Sequence, residues 1–244
     1  MASLARSLAA PTRARRLVLF DIDGTILWTD GAGRRAVFRA LEEHFGRIGP
    51  DDHRFDGKTD PQIVRELMRH AGIDEGEIDA RLDEVLERYF ALLETELAGI
   101  EAREHVFPGV RELLDALEAR DDVVLGLLTG NIQPGAHAKL AAVGIAPERF
   151  VVGAFGSDHH DRPELPEIAR RRAEKVLGHP VSGGDVVVIG DTPADVACGI
   201  GIGARAIGVA TGRYSVEELR ACAPAAVFAD LRDTEAVVRA ILDD

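Results

Sequence analysis

The sequence runs to 244 residues, 46% of them apolar and 29% charged, a globular balance that excludes wholesale disorder and collagen-like or repeat architectures. Its length overshoots one compact nucleotide-type domain and falls short of two, so a single domain carrying an insertion fits best. With 42 acidic and 29 basic residues the net charge is −13, which excludes a general nucleic-acid-binding surface, and no apolar run reaches membrane-spanning length, so no membrane partner is expected.

Residues 1–16, MASLARSLAAPTRARR, hold Arg6, Arg13, Arg15 and Arg16 and no acid. They lack the apolar core of a secretory signal and read as a flexible tail. The first apolar run, LVLF at 17–20, has the continuous hydrophobicity of a strand buried on both faces. It ends in FDIDGT, where Asp21 and Asp23 at i and i+2 point the same general way before Gly24 turns the chain. That pair suits a nucleophile and a proton donor held side by side. Trp28, the one tryptophan, is expected to pack against whatever follows.

Residues 31–105 contain no strand-like run. Ala36, Val37, Ala40, Leu41 and Phe45 repeat at helical spacing, as do Ile63, Val64, Leu67 and Met68. The latter helix has Asp60 as its expected N-cap, Pro61 at its first position and Gly72 near its end. A third helix carries Ile78, Leu82, Val85, Leu86, Tyr89, Phe90, Leu93 and Leu97, with Asp74 and Glu77 in capping-box positions. The GKTD at 57–60 imitates the end of a phosphate-binding loop, but Asp52 stands where that motif needs glycine. Lys58 then reads as an exposed lysine.

Beyond this insertion, Val110, Leu113, Leu114 and Leu117 mark a helix, VVLGLL at 123–128 a strand, and Phe150–Val152 a weaker strand. A helix is expected from Pro163 to Leu177, a strand at VVVIG (186–190), a helix from Ala194, strands at Arg205–Val209 and Ala226–Phe228, and a last helix over Thr234–Leu242. Alternation of this kind implies a Rossmann-like α/β core with a parallel sheet. His159 and His160 sit in GSDHHD as a polar loop, and GIGIGA at 199–204 follows a helix rather than a strand, the wrong context for a dinucleotide loop. Cys198 and Cys222 are isolated thiols, which fits a reducing, cytoplasmic location.

Ligands of open parallel sheets bind at the carboxyl ends of the strands, where this sequence places FDIDGT, LLTGN (127–131) and IGDTPADV (189–196). Thr129, Gly130 and Asn131 offer a hydroxyl, a close backbone approach and an amide to phosphoryl oxygens. Carboxylates from the first and third loops, with a backbone carbonyl, are hard ligands suited to Mg²⁺. Together, DIDGT, LLTGN and GDTPAD in this order, with a helical insertion after the first, resemble the haloacid dehalogenase-like hydrolase superfamily and its phosphoglycolate phosphatase-like branch, over roughly residues 17–242. The resemblance implies a core of residues 17–30 and 106–244 with a helical cap at 31–105. It implies that Asp21 is a nucleophile forming an aspartyl-phosphate and that Asp23 is the acid and base. Mg²⁺ would be held by Asp21, the Asp23 carbonyl and Asp191, with Asp195 in support. Thr129, Gly130, Asn131 and a cation would bind the phosphoryl group. Among three lysines none stands in the expected setting, so Arg162 takes that role, with Lys175 as fallback.

The expected activity is Mg²⁺-dependent hydrolysis of a small phosphorylated metabolite, phosphoglycolate-like or a sugar phosphate. A phosphomutase of the same superfamily and a non-catalytic phospho-acceptor module resembling a receiver domain are the alternatives. Dehalogenase and phosphonatase relatives lack the second acid of the first motif, which Asp23 supplies here. Cap helices offer a face for a homodimer.

Overall fold

The computed structural model describes residues 16–100 and 105–243. Six strands, β1 (Arg16–Phe20), β2 (Val123–Thr129), β3 (Val152–Phe155), β4 (Val186–Gly190), β5 (Arg205–Val209) and β6 (Ala226–Phe228), form one sheet in the order β3-β2-β1-β4-β5-β6. Every pairing is parallel. Between β1 and β2 lie α1 (Ala32–Phe45), α2 (Asp60–His70), α3 (Glu75–Leu97) and α4 (Val110–Glu118); α5 (Gln133–Ala142), α6 (Leu165–Leu177), α7 (Pro193–Cys198) and α8 (Val216–Ala221) make the later crossovers, and α9 (Thr234–Leu242) closes the fold.

The apolar runs are continuous because both faces of the sheet are covered. Val18 and Phe20 of β1 join Leu113 and Leu114 of α4 and Val237 and Ile241 of α9 on one face, while Leu17 and Leu19 meet Leu165, Ala169 and Ala173 of α6 on the other. The helical insertion has its own apolar cluster, built from Val37 and Leu41 of α1, Ile63 and Leu67 of α2, and Ile78, Val85 and Leu93 of α3. Ile132, Ala138 and Ala142 from the α5 segment join that cluster, so the insertion leans on α5. No helix among the described residues is long and apolar enough to cross a membrane.

Several boundaries differ from the sequence expectation. Arg16, assigned above to the tail, opens β1 and donates from Nη1 to the Gly184 carbonyl at 2.8 Å; the other tail residues lie outside the described ones. β3 starts at Val152, because Pro147–Arg149 form a 3₁₀ turn that delays the strand and leaves Val151 exposed. Arg162–Glu164 form another such turn, so α6 begins at Leu165 rather than Pro163. Thr59, not Asp60, caps α2, accepting from the Gln62 amide at 3.3 Å. Asp74 does cap α3, through the Gly76 amide at 2.9 Å, but no capping box with Glu77 forms. Helices α5 and α8 had no sequence expectation.

Candidate active site

The sheet order reverses between β1 and β4, and a parallel sheet opens its ligand crevice at such a point. Asp21 follows β1 and Asp191 follows β4. The register pairs Phe20 with Ile189, and the Asp21 amide donates to the Ile189 carbonyl at 2.9 Å, which sets the two carboxylates side by side. Gly24, at φ +89°, turns the chain back; a Cβ there would stand 2.4 Å from Asp191 Oδ2, so only glycine lets this loop approach the second carboxylate. Thr25 Oγ1 donates to Asp191 Oδ1 at 3.2 Å.

Oxygen atoms of Asp21, Asp191 and Asp195, all buried, lie within 4.8 Å of one another. Asp195 is committed to structure: its Oδ2 accepts from the amide and hydroxyl of Thr192, at 3.0 and 2.7 Å, in the capping box that starts α7. Its Oδ1 takes the Arg162 guanidinium. Arg162, 4% exposed, also brings Nη2 to 3.1 Å from Asp21 Oδ1, an ion pair without hydrogen-bond alignment. The sequence alternative, Lys175, lies exposed on α6. Burial lowers the tendency of Arg162 to hold its proton, but the charges of Asp195 and Asp21 more than offset this and hold its pKa above the ordinary value.

Crowding of carboxylates has a plain electrostatic consequence. Burial, then the charge of Asp195, pushes Asp191 up to about 9. Burial likewise raises Asp21 to about 7, against the pull of Arg162. One guanidinium therefore does not neutralise three acids. A divalent cation fits this donor set: hard oxygens from two strand ends, with Asp21 Oδ1 buried and lacking a hydrogen-bond partner. Because both Asp195 oxygens are engaged, Asp21 and Asp191 are the side chains free to bind it.

The second motif supplies a different group of contacts. Thr129 Oγ1 accepts from the amide and the side-chain Nδ2 of Asn131, at 3.3 and 2.8 Å. Asn131 Nδ2 also donates to Asp23 Oδ2 at 2.7 Å, so its side chain serves the first motif. Gly130 is packed beneath the insertion: its carbonyl accepts from the Asp60 amide at 2.8 Å, and a Cβ on it would fall 1.9 Å from the Lys58 carbonyl oxygen.

Three residues of this site escaped the sequence reading. Lys139 of α5 is 4% exposed and reaches Asp23 and Asn131. Asp60, buried, accepts from the Ile132 amide at 2.7 Å and lies near the buried Tyr89. Burial raises Asp60 to about 6. Asp60 and Tyr89 belong to the insertion, and no local motif marks long-range partners such as these.

A cavity of about 870 Å³ joins the two halves, floored by Asp21, Asp23, Thr129 and Asp191 and roofed by insertion residues including Arg34 and Phe55. Lys58 lines it too, paired with Glu66 beside His53. Trp28 also lines it, 49% exposed rather than packed away. His159 and His160 stack on each other at 4.8 Å and join no ligand cluster among the described residues.

Residues 15–203 match the family model described as haloacid dehalogenase-like hydrolase. A 5'-nucleotidase of Pseudomonas aeruginosa is 28% identical over 93% of this chain and 95% of its own length. A phosphoglycolate phosphatase of Pseudomonas fluorescens is 26% identical over 91% and 79%. Among solved structures, CbbY from Rhodobacter sphaeroides in complex with phosphate superposes with a TM-score of 0.69 at 19% identity, covering 90% of this chain and 96% of that one.

Proposed function

The chain belongs to the haloacid dehalogenase-like hydrolases, and on that premise we propose that it is a Mg²⁺-dependent phosphatase hydrolysing a small phosphomonoester through an aspartyl-phosphate on Asp21. One observation carries this reading: on the floor of the cavity between core and insertion, a buried carboxylate oxygen without a hydrogen bond lies 3.1 Å from a buried guanidinium. That is a nucleophile beside a charge able to hold the transferring group. Two relatives with phosphate-ester activities in their names, a nucleotidase and a phosphoglycolate phosphatase, support the class.

The residues divide the work. Asp21 Oδ attacks phosphorus; as that bond forms, the bond from phosphorus to the leaving oxygen breaks, and Asp23 gives that oxygen its proton. Asp23 then takes a proton from a water that attacks the phosphorus, which returns Asp21 as carboxylate and releases inorganic phosphate. Arg162, Thr129 and the backbone at Gly130 and Asn131 hold the phosphoryl oxygens. Asp21, the Asp23 carbonyl and Asp191 would hold Mg²⁺, which supplies charge neutralisation for phosphoryl transfer. Asp195 positions Arg162 and α7.

Residues 31–105 act as the cap over a core of 17–30 and 106–244. The cap excludes bulk water and selects the leaving group. The cavity volume lies within the range of small-molecule sites, which favours a small metabolite over a macromolecule.

The test is release of inorganic phosphate from a panel of phosphomonoesters with Mg²⁺, by wild type and Asp21→Asn. Multiple turnovers by wild type and none by the variant are expected. An isomerised product without free phosphate would point to a mutase, and a lasting acyl phosphate without turnover to a phospho-acceptor module; either result overturns the proposal.

A further inference from the structure

Lys139 stands apart from the phosphoryl-binding groups, yet it is the most completely engaged cation in the site. Its ammonium has three N–H donors and meets three acceptors: Asp23 Oδ1 at 2.9 Å, Asp23 Oδ2 at 2.7 Å and Asn131 Oδ1 at 2.6 Å. An ammonium this deeply buried is costly unless fully paired, so its position is specified by those acceptors. The insertion covers it. A Cβ on Gly33 of α1 would stand 3.4 Å from Lys139 Nζ, and the Asp60 charge lies close enough to interact with it.

The two oxygens of Asp23 are not equivalent in this setting. Oδ2 accepts from both Lys139 and Asn131 Nδ2, whereas Oδ1 accepts from Lys139 alone, at the longer distance. Asp23 lines the cavity with its side chain 29% exposed. Resting on the reading of Asp23 as acid and base, we propose that Lys139, through Asn131, is the positioning residue for this group: it anchors Oδ2 and leaves Oδ1 to exchange the proton with the leaving oxygen. Lys139 acts on the fate of the leaving group and not on the charge of the phosphate.

This role separates experimentally from a structural one by the leaving group. A dinitrophenolate departs without a proton; a primary alkoxide needs one. Lys139→Met keeps the stem and removes the donors. We expect its kcat/KM, which reports steps up to leaving-group release, to fall at least about 100-fold on an alkyl phosphate and less than about 5-fold on 2,4-dinitrophenyl phosphate. Lys139→Arg, which can still donate to both Asp23 oxygens, should recover most of the alkyl rate. Equal losses on both esters overturn the proposal, since a merely structural lysine would lower both alike. Should Lys139→Met not fold, the same ratio in Lys139→Gln decides. A wild type that cleaves neither ester would refute the phosphatase reading itself; a wild type that cleaves both, with a variant equally impaired on both, would refute only the role of Lys139.

Discussion

Replacing Asp60 with asparagine should stabilise the metal-free protein at neutral pH while lowering its activity. Asp60 is buried and accepts from the Ile132 amide at 2.7 Å. Burial lifts its pKa from the ordinary 3.8 to about 6, with the Lys139 charge and the Ile132 amide opposing. A carboxylate whose pKa is raised by folding favours the fold below its unfolded value, and that favour is lost as pH climbs through the folded value. At about 1.4 kcal/mol per unit, ionised Asp60 costs the native state up to about 3 kcal/mol at pH 8. Asparagine keeps an oxygen for the Ile132 amide and carries no charge. Urea unfolding in EDTA should show the variant ahead by about 1 to 2 kcal/mol at pH 5 and about 3 kcal/mol at pH 8. Asp21 and Asp191 titrate in both proteins and cancel in the difference. Phosphatase activity should fall, because the Asp60 charge, which interacts with Lys139 and Asp23, is removed. A gap independent of pH, or a wild type more stable at pH 8, would refute this reasoning.

Two further outcomes follow from the same geometry. Gly130→Ala drives a Cβ to 1.9 Å from the Lys58 carbonyl oxygen, so the 57–60 segment must lift off the second motif; kcat/KM should drop at least about tenfold, with about 1–3 kcal/mol of stability lost, while Gly201→Ala, which meets nothing within 4 Å, should leave melting and kinetics unchanged. Chelation by EDTA should abolish turnover, and calorimetric Mg²⁺ affinity should be at least about tenfold weaker at pH 6 than at pH 8. Burial and the neighbouring carboxylates raise Asp191 to about 9 and Asp21 to about 7, so protons compete with the metal for both; an affinity independent of pH would contradict that metal site.

The strands were legible where hydrophobicity was continuous. LVLF, VVVIG and all of VVLGLL but the half-buried Val123 are buried on both faces, and the polar residues that follow them line the cavity of the candidate site. Legibility failed where structure depends on contacts far along the chain. The segment QPGAHAKLAA of α5 buries Gly135, Ala136, Lys139 and Leu140, a face too mixed to read as an apolar stripe, and with α5 unread Lys139 had no visible partner. Asp60 looked like a cap because an acid before proline so often is one. Thr59 takes that place, and Asp60 reaches out of the insertion to the Ile132 amide at the start of α5. Arg162 was legible from its place after β3 and before Pro163, although the turn it sits in is 3₁₀ and not α-helical.

In the proposed reaction Asp21 carries the phosphoryl group. Wild-type protein turning over a phosphomonoester with Mg²⁺ should be quenched and treated with borohydride, which reduces an acyl phosphate to the alcohol. Peptide mass spectrometry should then find homoserine at position 21, and only when substrate was present. Continued turnover with Asp21 unmodified, or with the label on another carboxylate, would rule out Asp21 as the nucleophile.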